Sequence, residues 1–342
     1  MQFRQPLQRH AIQATAEFLL IAEGRSLCVS LPSNGDGSSQ SGNVKWFSPH
    51  ELGDLGLVNH SGVLSVGGGG SFQLVHPVLL GKLPHNGIWR LALDVSPSKS
   101  TQDAAKNQGL AFQDLRSLLP LIPAEDLSIA GQAVALLQWH KANEYCGRCG
   151  ARTTPVEMGG RRQCTSDKSH RAYPRTDPVM ITLVESTDGQ RALLGRPKSL
   201  SRRGVLTCLS GFIEQGESIE ECVRREVMEE AGVSVGQVAV LGSQPWPIGR
   251  GGTCEVMIGC MAKALDDTLH VNEEEMDAVR WVTKQEAQTA IQHSSVNDVA
   301  SSGQGAAFAE GHLDFFIPPK WAIAHHLIKA WATQGDSWFS KL

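Results

Sequence analysis

The stretch GFIEQGESIEECVRREVMEEAGV, Gly211 to Val233, constrains this chain more than any other, because it encodes a helix whose polarity is inverted. At about 100° per residue, Glu226 and Glu230 fall in the same stripe as Ile219 and Val223, with Glu229 on its flank, while Met228 points to the opposite face. A solvated, charge-rich helix would do the reverse, with Met228 inward and the acids outward. Glu226, Glu229 and Glu230 stand at i, i+3 and i+4, so all three reach one side of the helix. Carboxylates buried without partners are prohibitive, but they become ligands once a hard divalent cation is present. The spacing therefore predicts a cation site suited to chemistry on phosphate oxygens. Gly211 is expected to end the preceding strand and Gly232 to provide a left-handed helix exit. Glu217 and Arg225 are placed to pair and brace the loop-helix-loop rather than to touch a substrate.

The rest of the chain supplies the setting. Its 342 residues, 41% of them hydrophobic, are enough for two or three domains with a sizeable core. A formal charge of -4 gives no general basic field, which argues against a nucleic-acid partner. No apolar run approaches the roughly 20 residues of a membrane span, so a soluble chain is expected. Residues 1–125 alternate short apolar runs (FLLIA, SLCVSL, FQLVHPVLLG, IWRLALDV) with loop-like stretches such as SPSKSTQDAAKNQG, the pattern of a β-rich N-terminal domain. The GGGG at Gly67 to Gly70 lacks the Lys-Ser/Thr that would make it a phosphate-binding loop.

Residues 126–175 are expected to hold a linker helix, with Asp126 as its cap, and the zinc-ribbon-like segment that begins at CGRCG. Residues 176–342 then read as strands (PVMITLVE, RALLGR, LTCLSGF, VAVLGSQ, EVMIGCMAKA) around the inverted helix, a helix from about Lys284 and a last amphipathic helix in PPKWAIAHHLIKAW. Mixed strands between helices indicate an α+β chain with an αβα sandwich.

The eight cysteines are too few and too unevenly spaced for a disulfide scaffold, and a reducing compartment is expected. Cys146 and Cys149 form a C-x-x-C turn, and Cys164 follows at the distance of a zinc ribbon's second pair. The nearest good fourth ligand is His170. The segment is a Cys3His zinc site, or else a ribbon that has lost its metal and is held by core contacts. At the end of the chain, Ser340-Lys341-Leu342 reads as a peroxisomal address, with an import receptor as partner. The opening MQFRQPLQRHAIQATA, with two Arg and no acid before Glu17, faintly resembles an organelle transit segment, but its scarce serine ranks it below the tail.

The opening stretch also matches the pattern G-x5-E-x7-R-E-U-x-E-E-x-G-U, with U bulky and apolar, at Gly211, Glu217, Arg225, Glu226, Val227, Glu229, Glu230, Gly232 and Val233: nine positions over 23 residues. This is the signature of the Nudix hydrolases, which the chain resembles. SQPWP at Ser243 to Pro247, YPRTDPV after the ribbon and PPKWAIAHHLIKAW near the end are similar to the NADH pyrophosphatase branch, particularly its plant and algal peroxisomal or plastid members. The resemblance covers about residues 130–331 well and the N-terminal third only loosely.

It implies a Nudix αβα sandwich with a mixed sheet, a homodimer, and hydrolysis of NADH or NADPH to reduced nicotinamide mononucleotide and AMP or 2',5'-ADP. Removal of NAD caps from RNA, or non-catalytic NAD(H) binding, are the alternatives. By motif, Glu226, Glu229 and Glu230 would bind Mg2+ or Mn2+, joined by Glu275 from beyond the box and the backbone carbonyl of Ser210, with Glu229 or Glu230 as base. Tyr173 and Phe212 would stack on a base, and Gln244 and Trp246 would meet the substrate; a packed ring at Tyr173 and a core plug at Trp246 are the bland readings. Two features depart from the branch. The fourth zinc cysteine is missing, and SQPWP continues into IGRGG, where Arg250 would either meet the extra phosphate of NADPH or stand in solvent.

Overall fold

The computed structural model describes residues 16–24, 26–30, 43–60, 63–68, 71–84, 86–249, 252–294, 313–335 and 337–341. It forms two compact units, Met1–Thr176 with Pro247–Cys254, and Asp177–Trp246 with Glu255–Leu342.

The first unit is β-rich, as its alternating apolar runs predict. Its main sheet comprises β1 (Ala16–Ala22), β2 (Ser26–Ser30), β3 (Asn43–Val44), β4 (Trp46–Phe47), β8 (Val78–Lys82), β9 (Trp89–Asp94) and β10 (Leu110–Asp114). The strand order is β10-β2-β1-β9-β8, with β3 beside β2 and β4 beside β1, and β1 runs parallel to β9. A separate meander of β5 (Leu57–His60), β6 (Val63–Gly68) and β7 (Ser71–Val75) follows the short helix α1 (Pro49–Asp54). Phe18, Leu20, Phe47, Leu52, Leu91 and Leu93 make the core.

Two local expectations are corrected here. SPSKSTQDAAKNQG is not a loop but contains α2 (Lys99–Asn107), begun by the Ser98 hydroxyl accepting from the Thr101 amide and held by buried Ala105. After the short α3 (Leu115–Leu118), the linker helix α4 (Ala124–Ala142) starts two residues before the expected cap. Asp126 instead lies in the first turn, where a carboxylate suits the helix dipole, and faces Arg90 at 3.5 Å. The unit ends in a three-stranded ribbon of β11 (Thr153–Val156), β12 (Arg161–Cys164) and β13 (Arg171–Ala172).

The second unit is an αβα sandwich. β14 (Asp177–Glu185), β15 (Arg191–Pro197), β16 (Leu209–Phe212), β17 (Val235–Trp246), β18 (Glu255–Ala264) and β19 (Met276–Thr283) form a mixed sheet of order β17-β18-β14-β15-β19, with β16 beside β14. β14 and β18 are parallel, and the other pairings are antiparallel. Alternation along β14 assigns the layers. Met180 and Val184 pack with Val223 and Val227 of α5 (Ile219–Ala231), while Ile181 and Leu183 pack with Ala287 of α6 (Lys284–Ser294) and with Leu327 and Ile328 of α7 (Ile323–Ala332). Two features escaped the sequence pattern. β19 buries Met276, Val279 and Val282 at a spacing of three, which hides the strand period. SQPWP is not a loop: β17 runs on through Trp246, and Pro245 is tolerated because β17 is an edge strand.

Candidate active site

β16 leads into α5 through a tight, hydrogen-bonded turn. The Glu214 amide donates to Glu217, and a capping box starts the helix: the Ser218 hydroxyl accepts from the Glu221 amide while the Glu221 carboxylate accepts from the Ser218 amide at 2.8 Å. At the other end Gly232 takes φ of +69°, and its amide donates to the Met228 carbonyl at 2.9 Å. The chain that carries Glu275 is tied to this end, because the His270 amide donates to the Ala231 carbonyl at 2.8 Å and the Asn272 amide to the Glu230 carbonyl at 3.2 Å.

The inverted polarity of α5 has a clear structural form. Cys222, Val223, Val227 and Ala231 fill the core, Met228 is exposed, and Glu230 is only 7% exposed. One Glu230 oxygen is buried with no hydrogen-bond partner among the described residues. Burial, then the nearby Glu226 and Glu275 carboxylates, push the Glu230 carboxyl up to about 8, against a hydrogen bond from the Ser210 backbone. Glu226 is raised as well, by burial first, and both Glu229 and Glu275 add to it. Its carboxyl group occupies the space that a side chain on Gly211 would need. Glu229 is half exposed. Two exposed acids, Glu229 and Glu275, thus act on the two more buried ones, Glu226 and Glu230, an arrangement whose charge suits divalent cations.

Arg225 backs the cluster. Its Nε lies 2.7 Å from Glu217, its Nη1 donates to Glu226 at 2.8 Å and Glu229 at 3.1 Å, and its Nη2 donates to the Phe212 carbonyl at 3.0 Å. The Arg225 guanidinium holds the Glu217 carboxyl down at about 2.

On the sheet face away from α5, β17 and β16 carry two of the predicted residues, Gln244 and Phe212. Gln244, Met257, Val179 and Phe212 are in register across β17, β18, β14 and β16, so their side chains share one face. Phe212 is 53% exposed. Trp246, two residues beyond Gln244, stacks on Trp321 with ring centroids 5.8 Å apart. The Gln244 amide does not stand free: its Nε2 donates to the Trp321 carbonyl at 2.7 Å, and its Oε1 accepts from the Ile323 amide at 2.8 Å. Sequence reasoning missed Trp321 and this bracket. The available signal was Ala322, which stands at the start of α7 and offers no side-chain cap. Tyr173 belongs to the first unit, where it follows β13 and is 53% exposed. Arg250 lies outside the described residues.

The ribbon gathers the second set of predicted ligands. The Sγ atoms of Cys146, Cys149 and Cys164 and a ring nitrogen of His170 all lie within 4.8 Å of one another. Cys149 and Cys164 are 3.6 Å apart at sulfur, and Cys146 Sγ is 3.7 Å from His170 Nδ1. Ligands on a tetrahedral zinc with Zn–S of about 2.3 Å stand about 3.8 Å apart, so this donor set fits that ion. His170 Nε2 faces Asp167 at 3.4 Å, the type of second contact that orients a ligating imidazole. The Arg148 amide is the first of the groups that hold the Cys146 thiol down, to about 6.

An αβα sandwich that turns the carboxylates of one helix toward a shared space, opposite a glycine that makes room for them, defines a Nudix-type scaffold. Comparison with known proteins agrees. Residues 174–299 match the NUDIX domain, and residues 67–139 match the NADH pyrophosphatase-like rudimentary NUDIX domain. The chain is 35% identical over 280 residues to the NAD(P)H pyrophosphatase NUDT13, mitochondrial, of Mus musculus, covering 79% of this chain and 75% of that one. It is 39% identical over 252 residues to Nudix hydrolase 19, chloroplastic, of Arabidopsis thaliana, covering 66% and 57%. It is 36% identical over 253 residues to the NAD-capped RNA hydrolase NUDT12 of Homo sapiens, covering 70% and 49%. The chain belongs to the Nudix hydrolase family. It spans between about half and three quarters of the length of these three relatives.

These names correct one expectation. Relatives called chloroplastic and mitochondrial overturn the peroxisomal assignment drawn from Ser340-Lys341-Leu342, and the import receptor falls with it as a partner. A three-residue match is a short signal. Here Trp338–Lys341 forms a 3-10 turn, and the Trp338 amide donates to the buried Glu185 carboxylate at 2.8 Å. Among the described residues, no helix is long and apolar enough to cross a membrane.

Proposed function

We propose that this chain hydrolyses the pyrophosphate of NADH or NADPH, giving reduced nicotinamide mononucleotide and AMP or 2',5'-ADP. The observation that carries the reading is the buried Glu230 oxygen, without a hydrogen-bond partner among the described residues and under the influence of Glu226 and Glu275, in a chain whose relatives include NAD(P)H pyrophosphatases. Glu226, Glu229, Glu230, Glu275 and the Ser210 carbonyl would hold Mg2+ or Mn2+, which when bound neutralises charge on the phosphate oxygens. Glu229, half exposed where Glu230 is buried, is favoured over Glu230 as the group that takes the proton of the attacking water. Arg225 keeps Glu226 and Glu229 aligned through its hydrogen bonds. Phe212, half exposed, offers a ring face to a base of a dinucleotide. Zn2+ in the ribbon has a structural part, and a homodimer is compatible with the exposed Val240 and Leu241 on the edge strand β17.

A second reading is removal of NAD caps from RNA, favoured by the relatives that carry that name. Incubation with NADH, NADPH, NAD+, ADP-ribose and an NAD-capped RNA in Mg2+ or Mn2+, with products identified by mass, separates the two. Reduced nicotinamide mononucleotide from free dinucleotide, absent with Glu230→Gln, is the expected result. Turnover of the capped RNA alone would select the second reading, and cleavage of ADP-ribose alone would refute both.

A further inference from the structure

Trp321 stands one residue before the cap position of α7, and α7 begins without a side-chain cap of its own. The first amides of a helix need acceptors from elsewhere, and Gln244 supplies one to Ile323 from the neighbouring sheet. Its other end takes the Trp321 carbonyl, so both ends of this amide are engaged within the protein. The backbone on either side of Ala322 is thereby pinned to β17, and the Trp321 ring is laid against Trp246 with planes 18° from parallel. Gly259 permits the approach, since a Cβ there would stand 2.8 Å from Ile323 Cδ1. Both indoles remain partly exposed, on the sheet face whose row ends at the exposed Phe212 ring.

We propose that Trp321 is a specificity-determining residue of this site. With Trp246 it forms a two-ring aromatic wall for a planar heteroaromatic ring of the dinucleotide, and Gln244 is a positioning residue that acts through Trp321 instead of hydrogen-bonding the substrate. Stacking of this kind tolerates any flat heterocycle and depends on the orientation of the supporting rings. An amide committed at both ends to the segment that carries one ring fixes that orientation. The choice of ligand rests on the hydrolase reading above, whereas the wall itself is tested by binding alone.

The test uses the full chain and its Trp321→Ala, Trp321→Phe, Gln244→Ala and Gln244→Ala/Trp321→Ala variants. Affinity for NADH and for ADP-ribose, which lacks the nicotinamide ring, is measured by calorimetry in chelator, and KM and kcat are measured in Mg2+. Trp321→Ala is expected to weaken NADH binding and raise KM by roughly five- to tenfold with kcat within about twofold, and Trp321→Phe to recover most of the loss. Gln244→Ala is expected to raise KM in the wild-type background and to add nothing to Trp321→Ala. A loss confined to NADH assigns the nicotinamide ring to the wall, and an equal loss for ADP-ribose assigns the adenine. Unchanged affinity for both ligands, or a fall in kcat alone that phenylalanine does not recover, overturns the proposal, and additive effects overturn the role of Gln244. Binding without cleavage by the wild type would sink the hydrolase reading while the wall is still judged by affinity; no binding of either ligand would overturn both.

Discussion

The carboxyl group of Glu226 fills the space beside Gly211 that any larger residue would take. Glycine is required at this position because the strand end and the helix acid share one volume, not because of an unusual backbone angle. Gly211→Ala is therefore expected to push Glu226 out of line with Glu230 while leaving the fold intact. Displacing one charged group by about an ångström lowers turnover by about a hundredfold in well-ordered sites. The expected result is a fall of at least about tenfold in kcat, a higher Mg2+ requirement and a near-native melting curve. Wild-type turnover in Gly211→Ala would show that Glu226 does not need its present position.

Glu230 makes stability depend on pH in a direction opposite to that of most carboxylates. Its folded-state pKa lies at about 8 against 4.5 for the free group, from burial first and from Glu226 and Glu275 next. Below 4.5 both states hold the proton. Between 4.5 and about 8 the unfolded chain releases it while the native chain keeps it, so native stability falls as pH rises through that window. A bound cation removes this penalty by displacing the proton. The rise in melting temperature caused by Mg2+ or Mn2+ should be larger at about pH 8 than at about pH 6, and Glu230→Gln should abolish the difference while stabilising the metal-free protein. Equal metal-induced shifts at both values would contradict this account.

Glu217 and Arg225 produce the ordinary sign. The guanidinium holds Glu217 at about 2, below its usual 4.5, so the pair contributes stability above 4.5 and loses it as pH falls toward 2. The pair borders solvent, which limits its worth to about 1 kcal/mol. Glu217→Gln should cost that amount at neutral pH and nothing near pH 2, as read from urea unfolding at the two values. The same variant leaves one acceptor oxygen for which the Arg225 guanidinium and the Glu214 amide compete, so a loop that protects its amides less from hydrogen exchange is expected.

What could be read from the sequence follows from how local the physics is. The α5 box was legible because cation binding requires carboxylates at i, i+3 and i+4, and Ser218, Gly232 and Arg225 act within one turn or two of them. The ribbon was legible for the same reason, since Cys146, Cys149, Cys164 and His170 are close along the chain. The helix α2 was not, because Lys99–Asn107 is polar and depends on two buried small residues, Thr101 and Ala105, and the Ser98 cap. The continuation of β17 through Pro245 was hidden because proline usually breaks strands, and only the sheet order reveals that this one is an edge. The contact of Trp246 with Trp321 and the Gln244 cap on α7 join distant parts of the chain, and no local pattern carries them. At the C-terminus, a three-residue match is a short signal, and the chloroplastic and mitochondrial names of the relatives overturn the peroxisomal reading drawn from it.

The substitution of a histidine for the missing fourth cysteine leads to the last prediction. Cys146, Cys149, Cys164 and His170 present four donors at tetrahedral spacing, and Asp167 stands behind the imidazole. A site of this composition is expected to carry one zinc ion per chain when the protein is purified without chelator. Cys164→Ser removes the buried ligand and should lose the metal and lower the melting temperature. Asp167→Ala should weaken zinc binding by about tenfold or more without removing a ligand. His170→Cys, which restores a four-thiolate set, should retain zinc, whereas His170→Ala should release it to a competing chelator more readily than the wild type. Elemental analysis of the five proteins with a colorimetric chelator titration decides the matter. A wild-type chain without zinc, or a His170→Ala variant that holds it as tightly as the wild type, would leave the ribbon supported by its hydrogen bonds alone, among them the buried Arg162 donating to Thr153 Oγ1 at 2.6 Å.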